Sequence, residues 1–219
     1  MKKSIILFLN NDEIFTFPIV YYLVKRLSKK YNFYVKLNST TLKKKIKILL
    51  IILLEGDIIR LYNFYKKKLK IDNIISLKNV SLINSLNDYD YFFGISINYP
   101  KKIKYNKLKI YNFHYGNFES QRGTFIFFYK KIFKWKTIDI TFHKINNKFD
   151  SGKIIDKKTF DVKKLKTLDM ISLPLKNMNF YLNCILNLNK GKRKYTKIIG
   201  PSNKEPSFFQ IFLQKIKLL

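Results

Sequence analysis

Residues 4–10 read as one apolar run of strand length, unbroken from Ile5 to Leu9, and the period then changes: behind Pro18, Val20, Leu23, Val24 and Leu27 fall on one helical face. This predicts a β–loop–α opening. Residues 33–37 repeat the strand signal, while residues 42–65 are apolar enough for one long helix or two, with Gly56 as the break. Residues 74–77 predict a short third strand. Residues 91–97 and 109–114 predict two more, separated by Asn98-Tyr99-Pro100 and a lysine-rich connection. Residues 139–146 alternate, with Ile138, Ile140 and Phe142 facing one way and Thr141 and His143 the other. Ser172-Leu-Pro174 has the form of a helix start, and Leu175, Met178, Leu182 and Ile185 form a helical stripe that runs to Gly191.

Strands alternating with helices imply an α/β chain with a Rossmann-like, mostly parallel sheet flanked by helices. The pattern divides the chain into one catalytic-sized domain, residues 1–190, and a short, basic C-terminal appendage, residues 191–219. No internal repeat is visible.

A chain of 219 residues can bury its own core without a staple. Its single cysteine, Cys184, excludes an internal disulfide and a cysteine-based metal cluster, in keeping with a cytoplasmic protein. The apolar start is broken by Asn10, Asn11, Asp12 and Glu13, too early for a signal peptide. The run at residues 48–54 falls far short of the roughly 20 apolar residues of a membrane span, so none is expected.

The net charge of +30 raises the question of a nucleic-acid partner. Arginine supplies only Arg26, Arg60, Arg122 and Arg193 of the 44 basic residues, and lysine is spread over the whole chain alongside abundant Ile, Asn, Phe and Tyr. A general lysine coat is favoured over a nucleic-acid patch.

Candidate chemistry is concentrated in the middle of the chain. Asn112 and His114 share one face of a strand near its C-terminal end, the edge at which open α/β sheets bind ligands. Arg122-Gly123 follows, then Thr141-Phe-His143, then Asp150-Ser-Gly152 in a turn between two strands, from which a carboxylate could reach the imidazole.

In this order and spacing the residues resemble the folate-dependent formyltransferase family. Its pattern is an Asn-x-His strand end, an Arg-Gly some eight residues on, a Thr-x-His strand and an Asp-x-Gly loop. The resemblance extends more loosely from the first strand to about residue 160. It implies the formyltransferase fold, 10-formyltetrahydrofolate as co-substrate, and no metal. It also implies Asn112, His114 and Asp150 as the catalytic set, with Arg122 and Gly123 orienting substrate. Asn112 would stabilise the oxyanion formed as an amine attacks the formyl carbon, His114 would donate to the same oxygen or act as acid, and Asp150 would orient the imidazole and help relay the proton. The pterin is expected beside residues 91–99. Three departures stand out: Gly116-Asn-Phe-Glu119 replaces the family's Ser-Leu-Leu-Pro-like segment, Gln121 stands where an aromatic commonly precedes the arginine, and Asp139 stands where a glycine is common.

Among acceptors, the ribonucleotide-formylating class carries a glycine-rich phosphate loop after strand one, which Asn10-Asn-Asp-Glu13 does not supply. The methionyl-tRNA class carries a sizeable C-terminal domain, against about thirty residues after Gly191 here. The expected acceptor is therefore a nucleotide-linked amino sugar, its diphosphate near Lys101, Lys102 or Lys104. The alternatives are glycinamide ribonucleotide, methionyl-tRNA, or a non-catalytic nucleic-acid-binding relative. A homodimer is compatible with all of these.

Overall fold

The computed structural model describes residues 2–11, 15–86, 91–103, 108–146, 152–188 and 199–216. The chain opens with β1 (Lys3–Asn10), α1 (Thr16–Leu27) and β2 (Tyr31–Asn38). Two helices follow, α2 (Leu42–Leu54) and α3 (Ile58–Lys66), with Gly56 between them at φ +73°. That left-handed backbone suits glycine and ends the first helix. Next come α4 (Asp72–Ile75), β3 (Val80–Leu82), β4 (Phe93–Ile97) and β5 (Ile110–Tyr115). The third strand is thus not at residues 74–77. Its first two residues end α4 and the other two form the turn that follows; within the helix Asn73 Oδ1 accepts from the Lys70 backbone N–H at 2.9 Å, and only Ile74 of the stretch is buried.

The second half holds β6 (Arg122–Gly123), α5 (Ile126–Ile132), β7 (Thr137–Lys144), β8 (Ile154–Asp161) and α6 (Thr167–Ser172). A 3-10 turn (Leu175–Asn177) leads into α7 (Met178–Leu186), and β9 (Ser202–Asn203) and α8 (Phe208–Ile216) complete the described elements.

Seven strands form one sheet in the order β3-β2-β1-β4-β5-β7-β8 among the described residues. The first five run parallel, and β7 and β8 add an antiparallel edge. The chain steps outward from β1 to β2 on one side and returns to β4 on the other. Strand order therefore reverses between β1 and β4, opening a crevice at their C-terminal ends.

One sheet face packs beneath α1, α4 and α7 through Ile5, Leu7, Val20, Ile95 and Phe142. Tyr181 of α7 sits on Phe113 of β5, ring centroids 4.3 Å apart, and backs the strand that carries Asn112 and His114. Burial of Tyr181 and Cys184 in this layer pushes both side chains well above their ordinary pKa, so neither ionises in the physiological range. Both faces of β7 are covered: Ile138, Ile140 and Phe142 are buried, and so are Thr141 and His143, which the alternation alone had set on a second face without saying what covers it.

Residues 199–216 pack into the body. β9 pairs with β6, Lys47 bridges to Glu205 at 2.6 Å, and Ile211 of α8 is buried with Ile51, Phe125 and Phe128.

Candidate active site

The crevice between β1 and β4 holds a cavity of about 290 Å³. Three of the parallel strands deliver polar residues to it: Asn10 from β1, Ser96 from β4, and Asn112 and His114 from β5. Asn10 Nδ2 donates to Thr40 Oγ1 at 2.7 Å, which fixes the amide at the strand end. Asn98, just past β4, holds a left-handed φ of +54°, a conformation asparagine tolerates.

The antiparallel pairing of β5 with β7 sets the rest. Register places Asn112 opposite His143 and His114 opposite Thr141. Asn112 Nδ2 lies 3.2 Å from His143 Nε2, and His143 Nδ1 lies 3.2 Å from the Lys144 carbonyl oxygen. A carbonyl can only accept, so Nδ1 carries the proton and Nε2 accepts from the amide. The same reasoning applies to His114, whose Nε2–H donates to the Gln121 carbonyl oxygen at 3.0 Å; in the neutral ring Nδ1 then holds the lone pair. Asn112, His114 and His143 all line the cavity. His143 was legible in the sequence only as part of a strand motif, because its partnership with Asn112 requires the register.

Asp150 lies outside the described residues. Gly152 lies against β7: a Cβ there would strike the Lys144 carbonyl oxygen and come 3.3 Å from His143 Nδ1.

The loop of residues 116–121 is a compact bonded turn. Asn117 Oδ1 accepts from the backbone N–H groups of Glu119 and Ser120, at 3.1 and 2.9 Å. Gln121, almost fully buried, accepts from the Asn117 N–H and donates from Nε2 to the Thr137 carbonyl oxygen. The loop's roots are held as well: Thr141 Oγ1 donates to the Gly116 carbonyl oxygen at 2.7 Å. This order drives Phe118 inward, where its ring stands edge-on to His143 at 4.8 Å and tilted to His114 at 5.9 Å. Phe118 and Gln121 thus position both histidines, a role that no sequence period announces.

Gly123 lines the cavity, whereas Arg122 is bound into the wall: its Nη1 donates to the Gly200 carbonyl oxygen, and β6 pairs with β9. Gly123 has φ +93°, and a Cβ there would run into the Asn203 carbonyl oxygen, so only glycine permits this pairing. Asp139 is turned away from the cavity, accepting from Thr159 Oγ1 at 2.7 Å and facing Lys157 Nζ at 3.4 Å. It ties β7 to β8.

Lys44, Lys101 and Lys102 also line the cavity, and Lys44 Nζ sits 5.7 Å from the Phe125 ring centroid. Lys104 lies outside the described residues. Phe125 is buried with φ +57°, a costly backbone for an aromatic residue, and it is held there by packing on Ile51 and Ile211. Among the described residues no carboxylate lines the cavity, and no group of three or more His, Cys, Asp or Glu is placed to hold a metal. The cavity therefore offers amide and imidazole groups beside apolar walls, under a cationic rim.

No family model and no curated protein matches the sequence. Solved structures do match in three dimensions. WlaRD, a sugar 3N-formyl transferase in the presence of dTDP and 5-N-formyl-THF, superposes with a TM-score of 0.60 at 15% identity, over 93% of this chain and 69% of that one. A 4-N formyltransferase from Francisella tularensis gives 0.57 at 17% identity, over 92% and 75%. The phosphoribosylglycinamide formyltransferase of Anaplasma phagocytophilum gives 0.60 at 13% identity, over 94% and 97%. The chain has the fold that these three proteins share.

Proposed function

We propose that this chain of formyltransferase fold is an enzyme that moves a formyl group from 10-formyltetrahydrofolate to the primary amine of a nucleotide-linked amino sugar. The observation that carries the reading is the convergence of Asn112, His114 and His143 on the cavity at the sheet's switch point. The residues present fit the co-substrate: Tyr99, Ile103 and Ile145 give apolar wall for a flat ring, and Asn112 gives an N–H beside it. When bound, 10-formyltetrahydrofolate supplies the activated one-carbon unit.

Asn112 has two amide hydrogens, of which His143 takes one. The second serves the formyl oxygen as it gains charge. His114 takes a proton from the attacking nitrogen at Nδ1 and returns it to the departing folate nitrogen, while Nε2–H stays on the Gln121 carbonyl. Asp150 is assigned the relay: its charge favours the protonated imidazole while Nδ1 carries that proton. The C–N bond to the amine forms, the C–N bond to the folate breaks, and no net proton is gained.

The acceptor class rests on the rim. Lys44, Lys101 and Lys102 suit a diphosphate, and the end of β1 at Asn10-Asn11 has no glycine to let backbone amides cradle a phosphate. The crystallisation of WlaRD with dTDP and a formyl-folate supports the same class. The test is an acceptor screen: 10-formyltetrahydrofolate with dTDP- and UDP-linked amino sugars, glycinamide ribonucleotide and methionyl-tRNA, reading tetrahydrofolate release and product mass. Turnover of an amino sugar is expected. Turnover of methionyl-tRNA alone would overturn the acceptor, and tetrahydrofolate release with none of them would overturn the reaction.

A further inference from the structure

Three neighbouring helices leave a broad apolar face uncovered. On α2, Leu42, Ile46, Leu49 and Leu53 recur at steps of four and three and are all exposed. The inner side of the same helix is used for packing: Ile51 clusters with Ile211 of α8, and Ile52 with Leu61 of α3. α2 is therefore the middle member, bracketed by two helices that each show an apolar stripe of their own. On α3 it is Ile58, Ile59, Tyr62 and Tyr65; on α8 it is Phe208, Phe209, Phe212 and Leu213. Single exposed apolar side chains are ordinary on a protein surface, whereas three adjoining stripes mark a contact surface.

The rim is cationic. Lys43, Lys45, Lys66 and Lys67 are exposed on or beside α2 and α3, and none of the three helices contains an acidic residue. The acids at their ends are already engaged, Glu55 with Lys131, Asp57 with Lys166 and Glu205 with Lys47. A second copy docked by a twofold axis would set these lysines against their own images. Nucleic acid would neutralise the lysines and leave Ile, Leu and Phe in water. An anionic bilayer satisfies both, its headgroups meeting the lysines and its acyl boundary taking the stripes.

We propose that the α2–α3–α8 face is a peripheral docking surface for an anionic lipid bilayer. No described helix is long and apolar enough to cross a membrane, so the helices lie in the interface plane. α2 also lines the cavity through Lys44 and Ile48, so docking brings the cavity beside the lipid surface.

The experiment is co-sedimentation of the full chain with vesicles of phosphatidylcholine alone and of phosphatidylcholine with about a third phosphatidylglycerol. The comparison variant is Leu42→Gln/Ile59→Gln/Phe209→Gln. These side chains, 71%, 75% and 69% exposed, are the most exposed of the described apolar side chains of their helices, and the exchange leaves the charge unchanged. The wild type is expected to pellet with the anionic vesicles and not with the neutral ones, and the variant's partition coefficient to fall at least about tenfold. Should the triple variant's thermal melt change, Ile59→Gln alone takes its place, with an expected fall of at least about threefold. Three results would each overturn the proposal. One is a wild type that ignores anionic vesicles, whether or not it self-associates or binds an RNA oligonucleotide. The second is binding that the glutamines leave intact, which assigns it to the lysine coat alone. The third is equal binding to neutral vesicles.

Discussion

Asn112 and His143 are register partners across the antiparallel pair β5–β7, with the amide nitrogen 3.2 Å from the imidazole Nε2. The pairing decides which way the amide faces, because an imidazole Nε2 lone pair accepts from nitrogen and would repel the amide oxygen. In the proposed reaction His143 would therefore act on the formyl oxygen through Asn112.

His143→Phe keeps a flat ring beside Phe118 and removes the acceptor. It is expected to lower kcat at least about tenfold, a loss of roughly 1.4 kcal/mol, with a smaller change in the KM for folate. His143→Gln, which can present an oxygen to the same amide, should recover part of the loss. Steady-state kinetics of the two variants checks this; equal rates in both would reduce His143 to a packing residue.

His114→Asn should cost about 100- to 1000-fold in kcat, roughly 2.7–4 kcal/mol, because it removes the group assigned to move the proton. Folate affinity, measured by fluorescence titration, should change little. Retention of more than about a tenth of the wild-type kcat would take His114 out of the chemistry.

Arg122→Lys preserves the charge and loses the planar fork that reaches the Gly200 carbonyl. Thermal denaturation should show a stability loss of about 1 kcal/mol, and kcat/KM should fall because β6 and Gly123 form part of the cavity wall. An unchanged kcat/KM would make Arg122 a structural tie alone.

Gly152→Ala places a methyl group against the Lys144 carbonyl oxygen. The backbone must move to accommodate it, at a cost of about 1–3 kcal/mol. Since Lys144 accepts from His143 Nδ1, activity should fall together with stability. Urea melts paired with kinetics test this, and a variant that melts like the wild type would show that the turn yields freely.

Arg60 of α3 pairs with Asp169 of α6 at 2.5 Å. The hydrogen bond from Arg60 holds the Asp169 carboxyl below its ordinary range, against some opposition from burial. A depressed carboxylate stabilises the fold above its unfolded value, near 3.9, and loses that contribution as pH falls through the folded value. With Arg60 nearly half exposed, Asp169→Asn should cost only about 0.5–1 kcal/mol at pH 7. Urea melts at stepped pH should show the gap between wild type and variant closing below about pH 4; a gap constant with pH would mean that the charge contributes nothing.

Much of this fold was legible in the chain because its central parallel strands are buried on both faces and read as mostly apolar runs, unbroken over residues 5–9 of β1 and interrupted in β4 by Ser96, which lines the cavity. The Gly56 break was equally plain. The four-residue run at 74–77 misled because so short an apolar stretch fits a strand or a helical turn alike, and Asn73 decided between them by bonding back to Lys70. At the site, Asn112 and His114 were visible from alternation along a single strand. His143, Phe118 and Gln121 were not, since each depends on contacts made across a sheet or through a loop whose path no local period encodes.

The return of the chain at Gly200 bears on when the site can exist. Gly200 N–H donates to the Phe118 carbonyl oxygen at 2.7 Å, and its own carbonyl receives Arg122 from 78 positions earlier. The loop that presses Phe118 onto both histidines is thus closed by residues that leave the ribosome long after it. A nascent chain can lay down the sheet and its helices in order of synthesis, but it carries an unfinished pocket until that late stretch arrives. Competence comes with the last lock rather than with the scaffold.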